Sequence, residues 1–275
     1  MGKISDAFER YQKEKSVKTV QLPIGKPEKP GVKAPGLTPA PESIIHKGFS
    51  SKFVVLSAPE SIDAENFKIL KSQILFPKQG EVPRTIMVTS AFPGEGKTFV
   101  AANLAVSLAL GINEQVLLVD CDLRKPHLNR MLGYPNTEGL SDYLTGNQEL
   151  SDLVVRTRIK KLSLLVGGTS SSNPGELLSS VKMKEFLQEA KEQYQDWFII
   201  LDATPSQITA ETNVLANYVD KIIFVVMAQK SPRETIQKSI ENLGRKKILG
   251  IVFNGYRQAY KPYHEYYRSI TSGRW

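Results

Sequence analysis

The chain has 275 residues, 41% of them hydrophobic and 23% charged, which is typical of a globular protein with one sizeable domain. Its longest purely apolar run, residues 222–228, is far shorter than the ~20 residues that a membrane-spanning helix needs. The single cysteine, Cys121, excludes a disulfide within the chain, and the first fifteen residues lack the apolar stretch of a secretory signal. We therefore expect a protein of the reducing cytoplasm.

The net charge of +8 is concentrated at the two ends of the chain. Residues 1–52 carry +5 and residues 255–275 carry +3, whereas the charges of residues 53–254 cancel. A nucleic-acid-binding protein would carry a basic face on its folded body, so this distribution argues against a nucleic-acid partner. Basic tails suit an acidic membrane surface or acidic partner segments, and tails charged only for solubility are an equally good alternative.

Three regions follow one another along the chain. Residues 1–52 combine a short amphipathic helix with a proline-rich linker, which predicts an extended, disordered arm. Residues 53–254 alternate apolar strand-like runs with helical patterns, and residues 255–275 are expected to form a flexible tail. This alternation predicts an α/β fold with a mostly parallel sheet and helices on both faces. The predicted strands are 85–89, 115–120, 162–166, 197–202, 221–227 and 248–254, and the predicted helices are 61–76, 98–110, 175–194, 210–217 and 232–242.

The first motif that carries chemistry joins a predicted strand to a predicted helix. Residues 90–98 read Ser-Ala-Phe-Pro-Gly-Glu-Gly-Lys-Thr, a Walker A pattern. Gly94 and Gly96 leave the backbone N–H groups free to bind phosphate oxygens, helped by the positive end of the helix dipole. Lys97 is expected to reach the β- and γ-phosphates of ATP, and the Thr98 hydroxyl is expected to bind Mg²⁺. The predicted cofactor-binding residues are Pro93, Gly94, Glu95, Gly96, Lys97, Thr98, Phe99 and Asn254.

Three carboxylates lie at the ends of two further predicted strands. Asp120 and Asp122 follow the apolar run 116–119, and Asp202 follows the run 198–201. Because the carboxyl ends of parallel strands meet at one edge of a sheet, we expect all three beside the Walker A loop. Either Asp120 or Asp122 would accept a proton from an attacking hydroxyl; solvated loop acids are the alternative. The predicted catalytic residues are Lys97, Asp120 and Asp122, and the predicted metal ligands are Thr98, Asp120 and Asp202.

Half of the ten tyrosines lie among the last twenty residues of the chain. They follow no period that would bury them in a core, and charged residues separate them. We expect a segment of phosphate-accepting tyrosines here, and a partner-binding tail or a chance cluster are the alternatives. The predicted phosphoacceptors are Tyr256, Tyr260, Tyr263, Tyr266 and Tyr267.

Together these motifs resemble those of the bacterial tyrosine autokinases (BY-kinases), which regulate the export of capsular polysaccharide and exopolysaccharide. The likeness covers about residues 53–254. It rests on Pro-Gly-Glu-Gly-Lys-Thr at 93–98, Leu-Val-Asp-Cys-Asp-Leu-Arg-Lys-Pro at 118–126, Gly-Leu-Ser-Asp-Tyr-Leu-Thr-Gly at 139–146, Asn-Pro-Gly-Glu-Leu-Leu at 173–178 and Leu-Asp-Ala-Thr-Pro at 201–205.

The resemblance implies a tyrosine kinase that uses ATP and Mg²⁺. Asp120 and Asp122 would be its Walker A′ acids, Asp202 would be its Walker B acid, and neighbouring subunits would phosphorylate the tail tyrosines. It also implies a homo-oligomer such as a ring, a membrane polysaccharide co-polymerase that acts as activator, and a cognate tyrosine phosphatase. The chain would then be cytoplasmic and recruited to the inner face of the membrane through its activator.

This sequence departs from the family pattern in three places. Ala91 stands where the Walker A pattern begins with glycine, and residues 203–204 read Ala-Thr after the Walker B acid instead of Thr-Pro. In the helix that joins subunits, Glu65, Lys68 and Lys71 replace Glu-x-x-Arg-x-x-Arg. These three residues are the predicted oligomer interface, although lysine cannot form the bidentate fork that arginine makes with a carboxylate.

Two other functions stay open from the sequence alone. The partition and division-site ATPases of the same superfamily carry an extra lysine early in the loop, where this chain has Phe92, and they need no terminal tyrosines. A non-catalytic partner of a membrane polysaccharide machine would use nucleotide only for assembly. Incubation with labelled ATP and phosphoamino-acid analysis would separate these three functions.

Overall fold

A computed structural model describes residues 52–146, 148–169 and 173–256 of the chain. Alternating strands and helices make up these residues. The strands are β1 (Thr85–Ser90), β2 (Val116–Asp120), β3 (Val155–Arg156), β4 (Leu162–Leu165), β5 (Phe198–Asp202), β6 (Lys221–Met227) and β7 (Ile248–Asn254). The α-helices are α1 (Val54–Ser57), α2 (Ile62–Leu75), α3 (Lys97–Ala109), α4 (Leu128–Leu132), α5 (Leu140–Leu144), α6 (Leu150–Leu153), α7 (Pro174–Leu178), α8 (Val181–Gln193), α9 (Glu211–Tyr218) and α10 (Arg233–Leu243).

All seven strands belong to one sheet with the order β3-β4-β2-β5-β1-β6-β7. Every neighbouring pair is parallel except β3 and β4, which are antiparallel. The predicted mostly parallel α/β sheet is therefore confirmed. The short edge strand β3 was not predicted, and β7 forms the opposite edge.

Helices cover both faces of the sheet, which explains why every residue of the central strands β1, β2 and β5 is buried. In β1, Met87 packs into the core on one face, and Ile86 and Val88 pack into the core on the other. Helix α3 lies on this second face, between the sheet and α2, and its residues 100–109 are all buried. The small alanine and serine side chains of α3 allow this close packing. The packing in turn fixes the position of the helix that begins at Lys97.

Helix boundaries follow the capping residues. The predicted helix 61–76 is confirmed as α2, and the Ser61 hydroxyl accepts the Ala64 N–H at 3.1 Å. The prediction of one helix over 175–194 was wrong, because the chain forms α7 and α8 there. Ser180 has an extended backbone between them, and its hydroxyl accepts the Met183 N–H at 3.3 Å, so a second helix begins at this residue.

The strand register places the carboxyl ends of three central strands side by side. Asp120 of β2 pairs with Asp202 of β5, and Asp202 pairs with Val88 of β1. The loop after β1 therefore lies next to both acids. In the part of the chain that the structure describes, no helix is long and apolar enough to cross a membrane.

Candidate active site

The Walker A residues form a cradle of backbone groups between β1 and α3, here called the P-loop (residues 91–98). Gly94 and Gly96 have positive φ angles of 79° and 95°, a conformation that favours glycine. The Asn254 side chain donates a hydrogen bond to the Glu95 carbonyl at 2.9 Å, and it lies so close to Gly96 that a Cβ there would overlap it. The predicted cofactor-binding residue at the end of β7 thus contacts the loop directly.

Lys97 lies among the acids at the carboxyl end of the sheet. Its Nζ is 2.8 Å from Asp122 Oδ2 and 3.9 Å from Asp202 Oδ1. Burial disfavours the charged ammonium, but the negative charges of Asp202 and Asp122 outweigh burial and raise the pKa of Lys97 above its ordinary value. The lysine is therefore a fixed positive charge beside the P-loop.

Asp120 organises the loop that follows β2. Its carboxylate accepts three backbone N–H groups, from Asp122 at 3.1 Å, from His127 at 2.9 Å and from Leu128 at 3.0 Å. Burial, together with the charge of Asp202, raises the pKa of Asp120 to about 7 despite these hydrogen bonds. Asp120 thereby fixes the conformation of residues 121–128, here called the Walker A′ loop, and keeps Asp122 close to Lys97.

Asp202 is the least satisfied carboxylate of the site. It is 1% exposed, and within the described residues neither of its oxygens accepts a hydrogen bond of regular geometry. Burial raises its pKa to about 6, against the opposing effects of the Lys97 charge and the nearby Thr98 hydroxyl. A buried carboxylate that lacks regular hydrogen bonds is costly, even with the Lys97 ammonium 3.9 Å away, so this group is suited to bind a further cation.

The described carboxylates of the site do not form a complete metal site on their own. Among the described residues, no group of three His, Cys, Asp or Glu side chains is arranged to hold a metal ion. A Mg²⁺ site in a P-loop protein is completed by a hydroxyl, by phosphate oxygens and by water, so three protein carboxylates are not needed. Thr98, Asp120 and Asp202 stay the predicted protein ligands of such a site.

An ion pair that the sequence did not predict, Arg124–Glu211, lies beside the Walker A′ loop. Arg124 Nε lies 3.0 Å from Glu211 Oε1, and Glu211 is only 4% exposed. The pair lies against Gly175, where an added Cβ would be 3.4 Å from the arginine. It therefore connects the Walker A′ loop with α7 and α9. The arginine two residues after Asp122 was the only sequence signal for this connection.

The unusual residues after Asp202 form a buried hydroxyl cluster. The Thr204 hydroxyl is 2.7 Å from the hydroxyls of both Thr209 and Thr212, and the Thr89 hydroxyl donates to the Thr204 carbonyl at 2.7 Å. This network orders the backbone that follows the Walker B acid. The replacement of the family's Thr-Pro by Ala-Thr therefore leaves a well-connected loop.

The remaining predicted residues lie farther from the acids. Pro93 is exposed on the P-loop, and Phe99 lines a cavity of about 890 Å³ between α2, α3 and β7, together with Asn254 and Tyr256. Tyr256 is 67% exposed at the end of the described chain. The other four predicted phosphoacceptors, Tyr260, Tyr263, Tyr266 and Tyr267, lie outside the described residues.

The predicted oligomer interface lies on α2. Lys68 Nζ is 3.1 Å from Glu65 Oε2, one helical turn away, and also donates to the Pro59 carbonyl at 3.3 Å. Two of the three charges thus interact within one chain, and Lys71 is half-buried nearby. The structure holds a single chain, so the role of these residues between subunits stays a prediction.

Comparison with known proteins agrees with this geometry. Residues 83–247 match the family described as AAA domain. The chain is 34% identical to the tyrosine-protein kinase YwqD of Bacillus subtilis over 216 residues, which are 78% of this chain and 90% of that protein. It is 30% identical to the putative tyrosine-protein kinase CapB of Staphylococcus aureus over 210 residues, which are 76% of this chain and 91% of the relative.

Solved structures give the same result. The crystal structure of the chimerical protein CapA2B2 superposes with a TM-score of 0.69 at 29% identity and covers 76% of this chain and 92% of its own. The similarity therefore extends over most of both chains, in sequence and in fold. The chain therefore belongs to the bacterial tyrosine autokinases of the P-loop NTPase type, and it is a tyrosine-protein kinase.

Proposed function

We propose that this kinase uses ATP and Mg²⁺ to phosphorylate the tyrosines of its own C-terminal segment, between one subunit and the next. The observation that carries the proposal is the position of Lys97 at the P-loop, 2.8 Å from Asp122 and 3.9 Å from Asp202. A phosphate-binding lysine and two acids then flank one reaction centre. The residues proposed to bind ATP are 93–99 together with Asn254.

The proposed metal ligands are Thr98, Asp202 and Asp120. The lack of regular hydrogen bonds at Asp202 supports its role most strongly. Asp120 is already engaged by three backbone N–H groups, which favours a secondary role for it at the ion. Bound Mg²⁺ would offset the negative charge of the β- and γ-phosphates during transfer.

Asp122 is the better candidate for the general base. Its Oδ2 is 2.8 Å from Lys97 and would be released if that lysine turned to the phosphates, and its side chain is 14% exposed, more than that of Asp202. The phenol oxygen would bond to the γ-phosphorus as the bond to the ADP oxygen breaks, and the phenol proton would pass to Asp122. Asp120 would position the loop, and Lys97 would stay protonated on the phosphates.

We propose that this activity regulates capsule or exopolysaccharide synthesis. The membership of the chain in the BY-kinase family and the positive charge of its tails support this. A membrane polysaccharide co-polymerase would act as the activator that recruits the cytoplasmic kinase to the inner face of the membrane. A cognate tyrosine phosphatase would reverse the reaction, and nucleic acid would play no part.

A mixing experiment tests transfer between subunits. A Lys97→Met chain cannot catalyse but keeps its tail, and a chain that lacks residues 256–275 keeps the site but has no tail. With ATP and Mg²⁺, the mixture should label the tail of the Lys97→Met chain, and neither protein alone should be labelled. No transfer in the mixture, with labelling of the intact chain, would favour transfer within one subunit.

The alternative of a nucleotide-switch ATPase is less well supported. Its partner-crossing lysine would stand at position 92, but Phe92 is half-buried there and packs against the core beneath the sheet. A side chain that packs against its own core is not available to reach across a dimer interface. ATP hydrolysis without any phosphotyrosine, in the presence of an activator, would restore this alternative.

A further inference from the structure

A buried carboxylate of the P-loop bonds to the turn between β6 and α10. Glu95 is fully buried, and within residues 52–146, 148–169 and 173–256 no cation pairs with it. Its Oε2 accepts the Phe92 N–H at 2.7 Å inside the P-loop. Its Oε1 accepts the Met227 N–H at 3.2 Å and the Ser231 hydroxyl. Since a buried charge is costly without hydrogen bonds, these contacts hold the two segments together.

Residues 227–231, here called the β6–α10 turn, have a defined shape. The Lys230 N–H donates to the Met227 carbonyl at 3.2 Å, and Gln229 has a φ of 61°, which is uncommon for a residue other than glycine. The Ala228 N–H donates to the Asn254 carbonyl at 2.9 Å. The turn is thus fixed on one side by β7 and on the other by the P-loop.

This shape places a lysine over the P-loop. A methyl group on Gly94 would lie 3.6 Å from Lys230 Nζ. Lys230 is exposed, and in the described part of the chain no carboxylate lies within ion-pair distance of it. The ammonium of Lys97, in contrast, is 2.8 Å from Asp122. Lys230 therefore brings to the mouth of the loop a positive charge that no carboxylate of the described residues neutralises.

We propose that the β6–α10 turn is a second wall of the nucleotide site, in which Lys230 binds the phosphate chain and Glu95 is the positioning residue that holds the turn. Lysine binds phosphate as a point charge on a flexible stem, so an exposed lysine beside the loop can follow the phosphates as they enter. The inference rests on the proposed nucleotide site and deepens it, because it adds residues more than one hundred positions from the Walker A motif.

Calorimetric titration of the full chain with ADP and with ATP tests Lys230. Lys230→Gln should raise the Kd for both nucleotides about tenfold, the loss expected for one charge-assisted contact. Lys238→Gln is the matched control, because it removes an exposed charge from α10 away from the loop. A Kd for Lys230→Gln within about twofold of the unchanged chain would overturn the proposal. If the unchanged chain bound neither nucleotide, the proposed function itself would fail first.

A double-mutant cycle tests whether Glu95 acts through the turn. Glu95→Gln places an amide donor against N–H groups, so it should weaken nucleotide binding, and adding Lys230→Gln should then have little further effect. Additive losses would show that Glu95 does not position Lys230. Ser231→Ala is a milder variant that removes one contact, and Ser180→Ala, at the start of α8, controls for a general loss of stability. Of these two serine variants, only Ser231→Ala should raise the Kd for the nucleotides.

Discussion

Substitution of Asp202 by asparagine is expected to change the stability and the kinase activity of the chain in opposite directions. The carboxylate is buried and lacks regular hydrogen bonds, so ionising it in the free protein is unfavourable. Asparagine has nearly the same shape and carries no charge. We therefore expect Asp202→Asn to be more stable than the unchanged chain at neutral pH, although it should lose tyrosine kinase activity.

The size and pH dependence of this gain follow from the pKa of Asp202. Folding raises that pKa from 3.8 to about 6, and each unit corresponds to about 1.4 kcal/mol, so the penalty is on the order of 3 kcal/mol. The folded chain holds its proton to a higher pH than the unfolded chain does. Its stability therefore falls as the pH rises from about 4 to about 6, and the difference between the two proteins grows over the same interval.

Urea denaturation at several pH values measures this difference. Asp220→Asn is a control of opposite sign: burial raises the pKa of Asp220, but the Thr85 N–H and Lys191 lower it below the ordinary value, so its removal should destabilise the chain. Addition of Mg²⁺ and ADP should raise the free energy of unfolding of the unchanged chain more than it raises that of the Asp202→Asn variant. An Asp202→Asn variant that is less stable than the unchanged chain at pH 7 would show that the buried charge of Asp202 does not destabilise the free protein.

Three further predictions concern other parts of the chain. Gly96→Ala should abolish nucleotide binding in calorimetry, because its Cβ would overlap Asn254. Gln229→Gly should raise the free energy of unfolding in urea by about 0.5–1 kcal/mol, because it relieves about 1–2 kcal/mol of left-handed strain at a φ of 61° and costs about 0.5–1 kcal/mol of backbone entropy. Lys68→Ala/Lys71→Ala should reduce the sedimentation coefficient of any oligomer, as should high salt, because exposed ion pairs are screened; an unchanged large species would remove these lysines from the interface.

The sheet could be predicted closely because six of its seven strands coincide with short, mostly apolar runs in the sequence. The runs at 221–227 and 248–254 match β6 and β7 in full, and the other predicted strands that form the sheet differ from the observed ones by a residue at one end. Strand β3 has only two residues and no apolar pattern, so it gave no signal. The division of helix 175–194 depended on the extended backbone of Ser180, which a helical pattern does not reveal.

The sequence predicted that the three acids would lie beside the P-loop, but it did not predict the contacts that each of them makes. Strand ends brought Asp120, Asp122 and Asp202 to the P-loop as the parallel topology requires. The three acids look alike in the sequence, but Asp120 accepts three backbone N–H groups, Asp122 lies 2.8 Å from Lys97 and Asp202 has no regular hydrogen bond. Those differences come from loop geometry. The contact of Glu95 with the β6–α10 turn joins residues over 130 positions apart, and no local pattern indicates it.

The proposed mechanism requires that phosphate transfer to tyrosine takes place at this P-loop. The most direct measurement is mass spectrometry of phosphotyrosine after the purified full chain is incubated with ATP and Mg²⁺, alongside Lys97→Met and with the activator's cytoplasmic segment in both samples. Circular dichroism would establish that both proteins are folded. We expect phosphotyrosine within residues 256–275 of the unchanged chain and none in Lys97→Met. Equal phosphotyrosine in the folded Lys97→Met protein would contradict this mechanism.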